Sequence, residues 1–413
     1  PEFPPVREQL DEIRQGAVEI IPEEELERKL EESRRTGRPL RVKQGFDPTR
    51  PDLHLGHAVS LRKLRTFQEL GHEVIFVVGD YTARIGDPSG QSETRPPLSP
   101  EEIEQNARTY AEQAGRILDI TRAHIAYNST WLAPLDLARV LELTATYTVA
   151  RMLERDDFAR RYAEGRPISI VEFLYPLLQA YDSVALHADI EVGGTDQKFN
   201  LLVGRTVQER YGQPPQVCLI LPLLRGTDGE LKMSKSYGNY IGITEPPEEQ
   251  YGKTMSIPDH LLEEWYRLCT PLRGPALEAA LRRAREDPYH AKRELARLVV
   301  ASYHGEEAAR RAEEHFDRLF RQRELPETVP TVELSLDHPA LRYEPATGVW
   351  LPGLLVAAGL AASNSEAVRL IEQGAVSADG RRPDDRHARL PARPGTTVTL
   401  RRGKRRFVRV AFH

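Results

Sequence analysis

The sequence predicts an α/β protein whose first and largest domain contains a parallel β-sheet. Between about residues 39 and 245, strand-like segments alternate with helix-like segments, an order typical of a parallel sheet with helices on both faces. Of the 413 residues, 40% are hydrophobic and 29% are charged, as in ordinary soluble proteins. The length exceeds what a single core usually holds, so we expect two or three domains.

Five short segments read as the strands of this sheet: LRVKQGF (40–46), EVIFVVG (73–79), AHIAY (123–127), ADIEVGG (188–194) and QVCLILP (216–222). The turn GFDPTRPDLHLGH leads from the first run into a helix, and DYTARIGDPSG follows the second. Ser99 is predicted to open the next helix, because a proline and two acidic residues follow this capping hydroxyl. Ligands of parallel sheets bind at the carboxyl ends of the strands, where the unusual polar motifs of this chain occur.

The rest of the sequence predicts two further domains. Residues 246–322 read as helical throughout, and residues 323–350, which contain four prolines, are interpreted as a linker. Residues 351–413 read as two short helices, a strand and a hairpin around Gly403, which together form a small α+β domain. With an amino-terminal helical extension, the first domain covers residues 1–245.

The charge is unevenly distributed along the chain. The net charge is −5, yet residues 351–413 contain 12 lysines and arginines against 5 acidic residues, whereas the remainder contains 45 against 57. A basic segment on an acidic protein favours an anionic partner such as nucleic acid. A solvated basic surface explains the same charge equally well.

The longest apolar runs are too short to cross a bilayer, so no membrane association is expected. The first residues are charged and rich in proline, and they form no apolar signal segment. Cys218 and Cys269 have no motif spacing, so we expect neither a disulfide framework nor a zinc site. These features predict a cytoplasmic protein.

Two polar motifs, HLGH (54–57) and KMSKS (232–236), follow the first and last strands of the predicted sheet. A helix amino terminus presents unpaired N–H groups to phosphate. His54 and His57 can donate hydrogen bonds there, and Gly56 allows close backbone approach. Taken alone, each motif is better explained as a solvated polar loop, and a zinc site would need further ligands.

Together, the two motifs resemble the signatures of class I aminoacyl-tRNA synthetases, in which both bind the phosphates of ATP during amino acid activation. The resemblance implies a Rossmann-like catalytic domain and Mg²⁺ carried mainly by ATP and water. The reaction needs alignment and charge neutralisation rather than a protein nucleophile. The catalytic residues that the resemblance implies are Thr49, His54, His57, Lys232, Lys235 and Ser236, with His57 near the ATP ribose; Gly56 and Met233 are implied as further ATP contacts.

The stretch VEFLYPLLQAYDSVAL (171–186) reads as a helix that carries Tyr175, Gln179 and Asp182 on one face. Polar side chains on a face expected to be buried need partners, and a structural hydrogen-bond network is one explanation. The pattern also resembles the amino acid pocket of tyrosyl-tRNA synthetases. That resemblance implies that Tyr175 and Gln179 bind the α-amino group of tyrosine and that Asp182 accepts from its phenol.

Three further loops are similar to those of the same family. In GFDPT (45–49) the resemblance places Asp47 near the α-amino group, and in IGDPSG (85–90) it places Asp87 there, with Thr82 as a neighbour. In GGTDQ (193–197) it assigns Gly194 and Asp196 to the ribose and Gln197 to the substrate carboxylate.

Two positions depart from the family pattern. Lys43 stands where many relatives have a tyrosine that also contacts the substrate phenol, and Glu191 stands where many have glutamine. The hydrogen bond of that tyrosine is therefore absent, replaced by one from the ammonium group or provided by another residue. Lys43 is expected either to pair with Asp182 or to donate to the phenol oxygen.

The resemblance implies activation of tyrosine by ATP, followed by transfer to the 3′ end of its tRNA. Tryptophanyl-tRNA synthetases, nucleotidylyltransferases and non-catalytic RNA-binding proteins with a synthetase fold are the alternatives. SNSEAVRLIEQGAVSADG and the basic end resemble a small RNA-binding fold of bacterial tyrosyl-tRNA synthetases, and the helical region would serve the anticodon side. A homodimer through residues 130–165 is also implied.

Overall fold

A computed structural model describes residues 2–49, 52–87, 98–324, 329–383, 385–404 and 406–413, with only the backbone described for 320–324. The chain divides into two compact units, residues 1–313 and residues 314–413. Within the described residues, no helix has both the length and the apolar character needed to cross a membrane.

The first unit is built on a six-stranded sheet with the spatial order β1-β6-β5-β2-β3-β4. Its strands are β1 (Glu19–Ile21), β2 (Arg41–Phe46), β3 (Glu73–Val78), β4 (Ala123–Tyr127), β5 (Ile190–Gly194) and β6 (Val217–Leu221). All neighbouring pairs are parallel except β1 and β6. The predicted parallel sheet is therefore confirmed, and the short antiparallel strand β1 is an addition that the sequence analysis did not predict.

Helices cover the sheet and extend beyond it. In the first unit they are α1 (Val6–Arg14), α2 (Glu23–Thr36), α3 (Leu55–Glu69), α4 (Pro100–Ala114), α5 (Ser129–Leu132), α6 (Leu137–Thr144), α7 (Val149–Met152), α8 (Asp156–Ala163), α9 (Ile170–Leu186), α10 (Lys198–Arg210), α11 (Pro247–Met255), α12 (Leu262–Cys269), α13 (Gly274–Glu286) and α14 (Pro288–His304). Helix α15 (Glu306–Glu324) includes the residue at which the two units divide. Helix α4 begins as predicted, because the Ser99 hydroxyl accepts from the N–H of Glu102 at 3.2 Å.

One hydrophobic core joins the sheet to the later helices. Phe67 and Phe76 from the sheet region lie in the same buried cluster as Trp265 and Leu295. The region predicted as a separate helical domain, 246–322, therefore shares its core with the sheet over residues 257–299, and these residues lie in the first compact unit.

The second unit has a core and a four-stranded sheet of its own, in the order β7-β12-β11-β9, and a two-stranded pair, β8 with β10. Its elements are β7 (Thr331–Leu334), β8 (Val349–Trp350), α16 (Leu351–Ala357), α17 (Asn364–Glu372), β9 (Val376–Ala378), β10 (Arg389–Leu390), β11 (Thr397–Arg402) and β12 (Arg406–Phe412). The predicted helices, strand and hairpin are all present.

The linker predicted over 323–350 is wrong for most of its length. Residues 325–328 lie outside the described residues, but β7 pairs in parallel with β12. Leu334, Leu341 and Val349 are buried in the core of the second unit. Prolines do not exclude a strand here, because proline is tolerated at the start of an edge strand, and Pro330 directly precedes the edge strand β7.

Candidate active site

A cleft of about 340 Å³ opens at the carboxyl ends of β2, β3, β5 and β6. Most of the predicted site residues line it: Asp47, His54, Gly56, His57, Thr82, Asp87, Tyr175, Gln179, Asp182, Gly194, Asp196, Gln197, Lys232 and Met233. Thr49, Lys235 and Ser236 are not among the lining residues. The parallel sheet thus brings together side chains that are up to 186 positions apart in the chain, from Asp47 to Met233.

The HLGH turn is a self-capped helix start. The N–H of Gly56 donates to His54 Nδ1 at 3.0 Å, and the N–H of His54 donates to His57 Nδ1 at the same distance. A β-carbon on Gly56 would lie 2.7 Å from His54 Cε1, so only glycine permits this ring position. The turn is fixed against the chain after KMSKS, because the N–H of Leu55 donates to the carbonyl of Ile241.

Both histidines are neutral donors at neutral pH. Burial lowers the pKa of His57 to about 4, and it lowers the pKa of His54 as well, with the charge of Lys235 acting in the same direction on both. Because each Nδ1 accepts a backbone hydrogen bond, the single ring proton resides on Nε2. Each imidazole can therefore donate one Nε2–H to an anionic or hydroxyl oxygen.

The KMSKS loop is ordered around one asparagine. Asn239 Nδ2 donates to Asp228 Oδ1 and to the carbonyls of Leu231 and Lys232, and its Oδ1 accepts from the N–H of Ser234. The side chain of Met233 is buried in the main core. The loop therefore has a defined shape that presents its lysines on either side of a buried anchor.

Both lysines of the loop are paired with carboxylates. Lys232 Nζ lies 3.6 Å from Asp196 Oδ2, and Lys235 Nζ lies 2.9 Å from Asp52 Oδ2. Lys235 is close enough to His54 and His57 to lower their pKa values. The charge of Lys235 therefore lies beside the cleft, which both histidines line. Ser236 is exposed, and its N–H donates to Ser234 Oγ.

The carboxylate of Asp47 is the centre of a hydrogen-bonded cluster in one part of the cleft. Thr82 Oγ1 donates to Asp47 Oδ1 at 2.7 Å, and the hydroxyl of Tyr175 donates to Asp47 Oδ2. A β-carbon on Gly79 would lie 2.1 Å from Asp47 Oδ1, so glycine is required for this approach. Burial raises the pKa of Asp47 to about 7. Nearby, Gln197 Nε2 donates to Asp87 Oδ2 at 2.6 Å.

Asp182 is a buried carboxylate with two donors. Trp131 Nε1 donates to Oδ1 at 2.7 Å, and Asn128 Nδ2 donates to Oδ2 at 3.3 Å. Burial raises its pKa to about 6, against the lowering effect of the Lys43 ammonium group and the two donors. Asp182 is therefore mostly ionised at neutral pH and retains acceptor capacity for a further donor.

The two expectations for Lys43 are both corrected by the structure. Its ammonium group pairs with Glu191 Oε2 at 3.0 Å rather than directly with Asp182. It also donates to Ser183 Oγ and to the carbonyl of Gln179. Lys43 is fully buried and does not line the cleft, so it is not placed to donate to a substrate phenol. Lys43 and Glu191, the two residues that depart from the family pattern, thus form an ion pair with each other.

Comparison with known proteins gives the family. The family model described as class I tRNA synthetases (W and Y), for tryptophan and tyrosine, matches residues 35–321. The chain belongs to the class I tRNA synthetases. The nucleotidylyltransferase alternative is thereby removed.

Two relatives that align with this synthetase over nearly its whole length are both named tyrosine–tRNA ligase. The tyrosine–tRNA ligase of Moorella thermoacetica is 54% identical over 408 residues, which cover 98% of this chain and 96% of the relative. The tyrosine–tRNA ligase of Thermotoga maritima is 51% identical over 407 residues, covering 98% and 97%. The crystal structure of the tyrosyl-tRNA synthetase complexed with L-tyrosine from Archaeoglobus fulgidus is similar with a TM-score of 0.61 at 26% identity, covering 75% of this chain and 100% of that chain.

The motifs did not reveal every polar residue at the site of this synthetase. Asn128 and Trp131 follow β4 and hold Asp182, and Asn200 on α10 donates to Gln179 Oε1 at 3.2 Å. Asn128 and Trp131 follow the end of a predicted strand, which was a usable signal for the site. Asn200 lies inside a helix and carries no such signal.

Proposed function

We propose that this synthetase is a tyrosine–tRNA ligase, which activates tyrosine with ATP and transfers it to the 3′ end of its tRNA. The observation that carries the proposal is the buried, doubly hydrogen-bonded carboxylate of Asp182 in the cleft. A phenol hydroxyl is a donor that such a carboxylate can bind, and a substrate without it leaves the carboxylate unpaired.

The cluster of polar side chains around Asp47 is assigned to binding the α-ammonium group of tyrosine. Asp47, Asp87, Tyr175 and Gln179 surround this part of the cleft with acceptor atoms. An ammonium ion beside Asp47 favours its ionised form, because an opposite charge stabilises a carboxylate. Gln197 is assigned to the substrate carboxylate, and Thr82 keeps Asp47 oriented.

The nucleotide is assigned to the cleft between HLGH and KMSKS. The Nε2–H groups of His54 and His57 serve the phosphates and the ribose region, Gly194 and Asp196 serve the ribose, and Gly56 permits close approach. Lys232, Lys235, Thr49 and Ser236 are assigned to the phosphates, with Met233 as the buried anchor of the loop. Mg²⁺ enters with ATP as part of the substrate. The described residues contain no cluster of three or more His, Cys, Asp or Glu side chains that could hold a metal ion.

In this assignment the residues act by alignment and charge. The tyrosine carboxylate attacks the α-phosphorus of ATP, and negative charge increases on the departing pyrophosphate. Lys232 and Lys235 must leave Asp196 and Asp52 to neutralise that charge. Preorganised donors and cations aimed at developing charge are the main source of catalysis in such a reaction.

The direct test is ATP–pyrophosphate exchange measured with each of the twenty amino acids. We expect exchange with tyrosine and none of comparable rate with tryptophan or phenylalanine. Exchange driven by tryptophan would instead favour the alternative of a tryptophanyl-tRNA synthetase. Absence of exchange with any amino acid would favour the non-catalytic RNA-binding alternative.

We infer a homodimer that uses the surface of α6, α7, α8 and the start of α9. Large apolar side chains are exposed there: Leu137, Leu141, Val149, Tyr162 and Ile170, with Leu137 at 73% and Ile170 at 81% exposure. Clustered exposed apolar side chains mark interaction surfaces. Light scattering is expected to give about twice 46.8 kDa.

A paired substitution tests which surface forms the dimer. Leu137→Asp/Leu141→Asp is expected to shift the protein toward the monomer, since charges at a buried interface are unfavourable. Val18→Asp changes an apolar residue that is also exposed but lies elsewhere, and it should leave the mass unchanged. A parent protein that is an active monomer would contradict the dimer itself.

The hairpin of β11 and β12 is assigned to tRNA. Lys404, Arg406 and Arg409 are exposed on it. Replacing all three with alanine should raise KM for tRNA and leave tyrosine-dependent exchange unchanged. If each cation meets one phosphate, the slope of log KM against log salt should fall by roughly 0.7–0.9 for each cation removed. Unchanged charging at every salt concentration would remove this surface from the tRNA site.

A further inference from the structure

Lys43 on β2 and Glu191 on β5 form a buried ion pair at the cleft, which Glu191 lines and Lys43 does not. The two residues are direct register partners on neighbouring parallel strands. Their side chains are 0% and 1% exposed, and Lys43 Nζ lies 3.0 Å from Glu191 Oε2. Burying two charges costs several kcal/mol per ion before they interact, and an apolar pair of similar volume is often at least as stable. Stability alone therefore gives no reason for this pair.

Every polar atom of the pair has partners. The ammonium group of Lys43 donates to Glu191, to Ser183 Oγ at 2.7 Å and to the carbonyl of Gln179 at 3.0 Å. Glu191 accepts from Gln216 Nε2 at 2.8 Å and from Gln179 Nε2 at 3.1 Å. The pair is thus connected to α9 by three hydrogen bonds, which all lie between residues 179 and 183.

That turn of α9 carries two of the residues assigned to tyrosine. Lys43 holds the main chain at Gln179 and the side chain of Ser183, and Asp182 lies between these two attachment points. Lys43 therefore fixes the position of the turn relative to β2. Its charge also lowers the pKa of Asp182, opposing the effect of burial.

Glu191 fixes the orientation of the side-chain amide of Gln179. An ionised carboxylate can only accept hydrogen bonds, so the group of Gln179 that it contacts must be the NH₂ group. Gln179 Oε1 is then directed away from Glu191, where Asn200 Nδ2 donates to one of its two lone pairs. The other lone pair remains suited to a substrate ammonium group.

We propose that the Lys43–Glu191 pair is a positioning element for tyrosine recognition, which orients the Gln179 amide oxygen and holds Asp182 in register with the phenol. The inference rests on the proposed function. It predicts that the pair acts on tyrosine binding and on selectivity against phenylalanine, beyond any effect on stability.

Three variants separate positioning from stability: Lys43→Met, Glu191→Gln and the double variant. Each single variant leaves one buried charge without its partner and should lower Tm by several degrees. The double variant removes both charges and should recover most of that loss. In exchange assays, however, it should keep a KM for tyrosine raised about tenfold or more with a smaller change in kcat, and a reduced preference for tyrosine over phenylalanine.

A second buried ion pair, which joins α8 to α9, provides the matched control. Arg161 and Glu172 are also almost fully buried, with 2.6 Å between Nη1 and Oε1, and neither lines the cleft. Arg161→Met/Glu172→Gln should change Tm without changing the ratio of tyrosine to phenylalanine activation. If the double variant at 43 and 191 has the parent KM and selectivity, the pair is structural and the inference is wrong.

Ser183→Ala decides the question if the double variant does not fold. It removes one acceptor of Lys43 and leaves both charges in place, so a raised KM for tyrosine supports positioning and an unchanged KM opposes it. Failure of the proposed function is distinguishable, because the parent protein itself would then show no tyrosine-dependent exchange. That result would overturn both statements.

Discussion

The Asp182→Ala variant is expected to lose most tyrosine activation, with kcat/KM reduced about 10³-fold or more, and to lose most discrimination against phenylalanine. Tyrosine and phenylalanine differ by one hydroxyl, which shape alone separates poorly. In the parent, phenylalanine would leave a buried, mostly ionised carboxylate without that partner. For tyrosyl-tRNA synthetases a preference of about 10⁵ over phenylalanine is the established reference, not a value obtained from this structure.

Asp182→Asn serves as the control of matched volume. Its amide can keep only one acceptor, so its NH₂ group must face a donor, either Trp131 Nε1 or Asn128 Nδ2. Selectivity should therefore fall in this variant also, although the space is unchanged. Exchange rates with both amino acids give the measurement. If either variant rejects phenylalanine as strongly as the parent does, the phenol contact lies elsewhere.

Lys235→Ala is expected to slow formation of tyrosyl-adenylate by about 10²–10³-fold while tyrosine binding changes little. The ammonium group is assigned to charge that develops on pyrophosphate, so its removal acts on the chemical step rather than on binding of the amino acid. Lys235 pairs with Asp52 at 2.9 Å, and this partner lies outside the tyrosine part of the cleft.

Pre-steady-state measurement of adenylate formation, together with equilibrium binding of tyrosine, distinguishes the two effects. Leu231→Ala is the control, since Leu231 is an exposed apolar residue of the same loop. It should leave the activation rate unchanged. An unaltered rate in Lys235→Ala would falsify the phosphate assignment of this lysine.

The sheet and the cleft could be predicted because their signals are local. Runs such as VIFVV (74–78) are apolar throughout, as expected for a strand buried on both faces, and Tyr175, Gln179 and Asp182 repeat with the period of a helix. The position of these elements at one edge of a parallel sheet then follows from topology. The roles given to the individual residues remain predictions.

The features that escaped prediction depend on partners far away in the chain. Strand β1 has only three residues, and its partner β6 begins nearly two hundred positions later, so nothing local marks it as a strand. Lys43 and Glu191 are each an unexplained exception when considered alone. Only the register between β2 and β5 shows that the two charges compensate each other.

The sheet of the second unit has a consequence for protein synthesis. Strand β7 ends at Leu334, but its partner β12 begins at Arg406. At about 5–20 residues per second, a ribosome needs roughly 4–14 s to cover this distance. During that interval the nascent strand has no partner within its own sheet and is open to edge pairing with other chains. Slow codons between these points would lengthen the exposure, whereas the sheet of the first unit is complete once Leu221 has emerged.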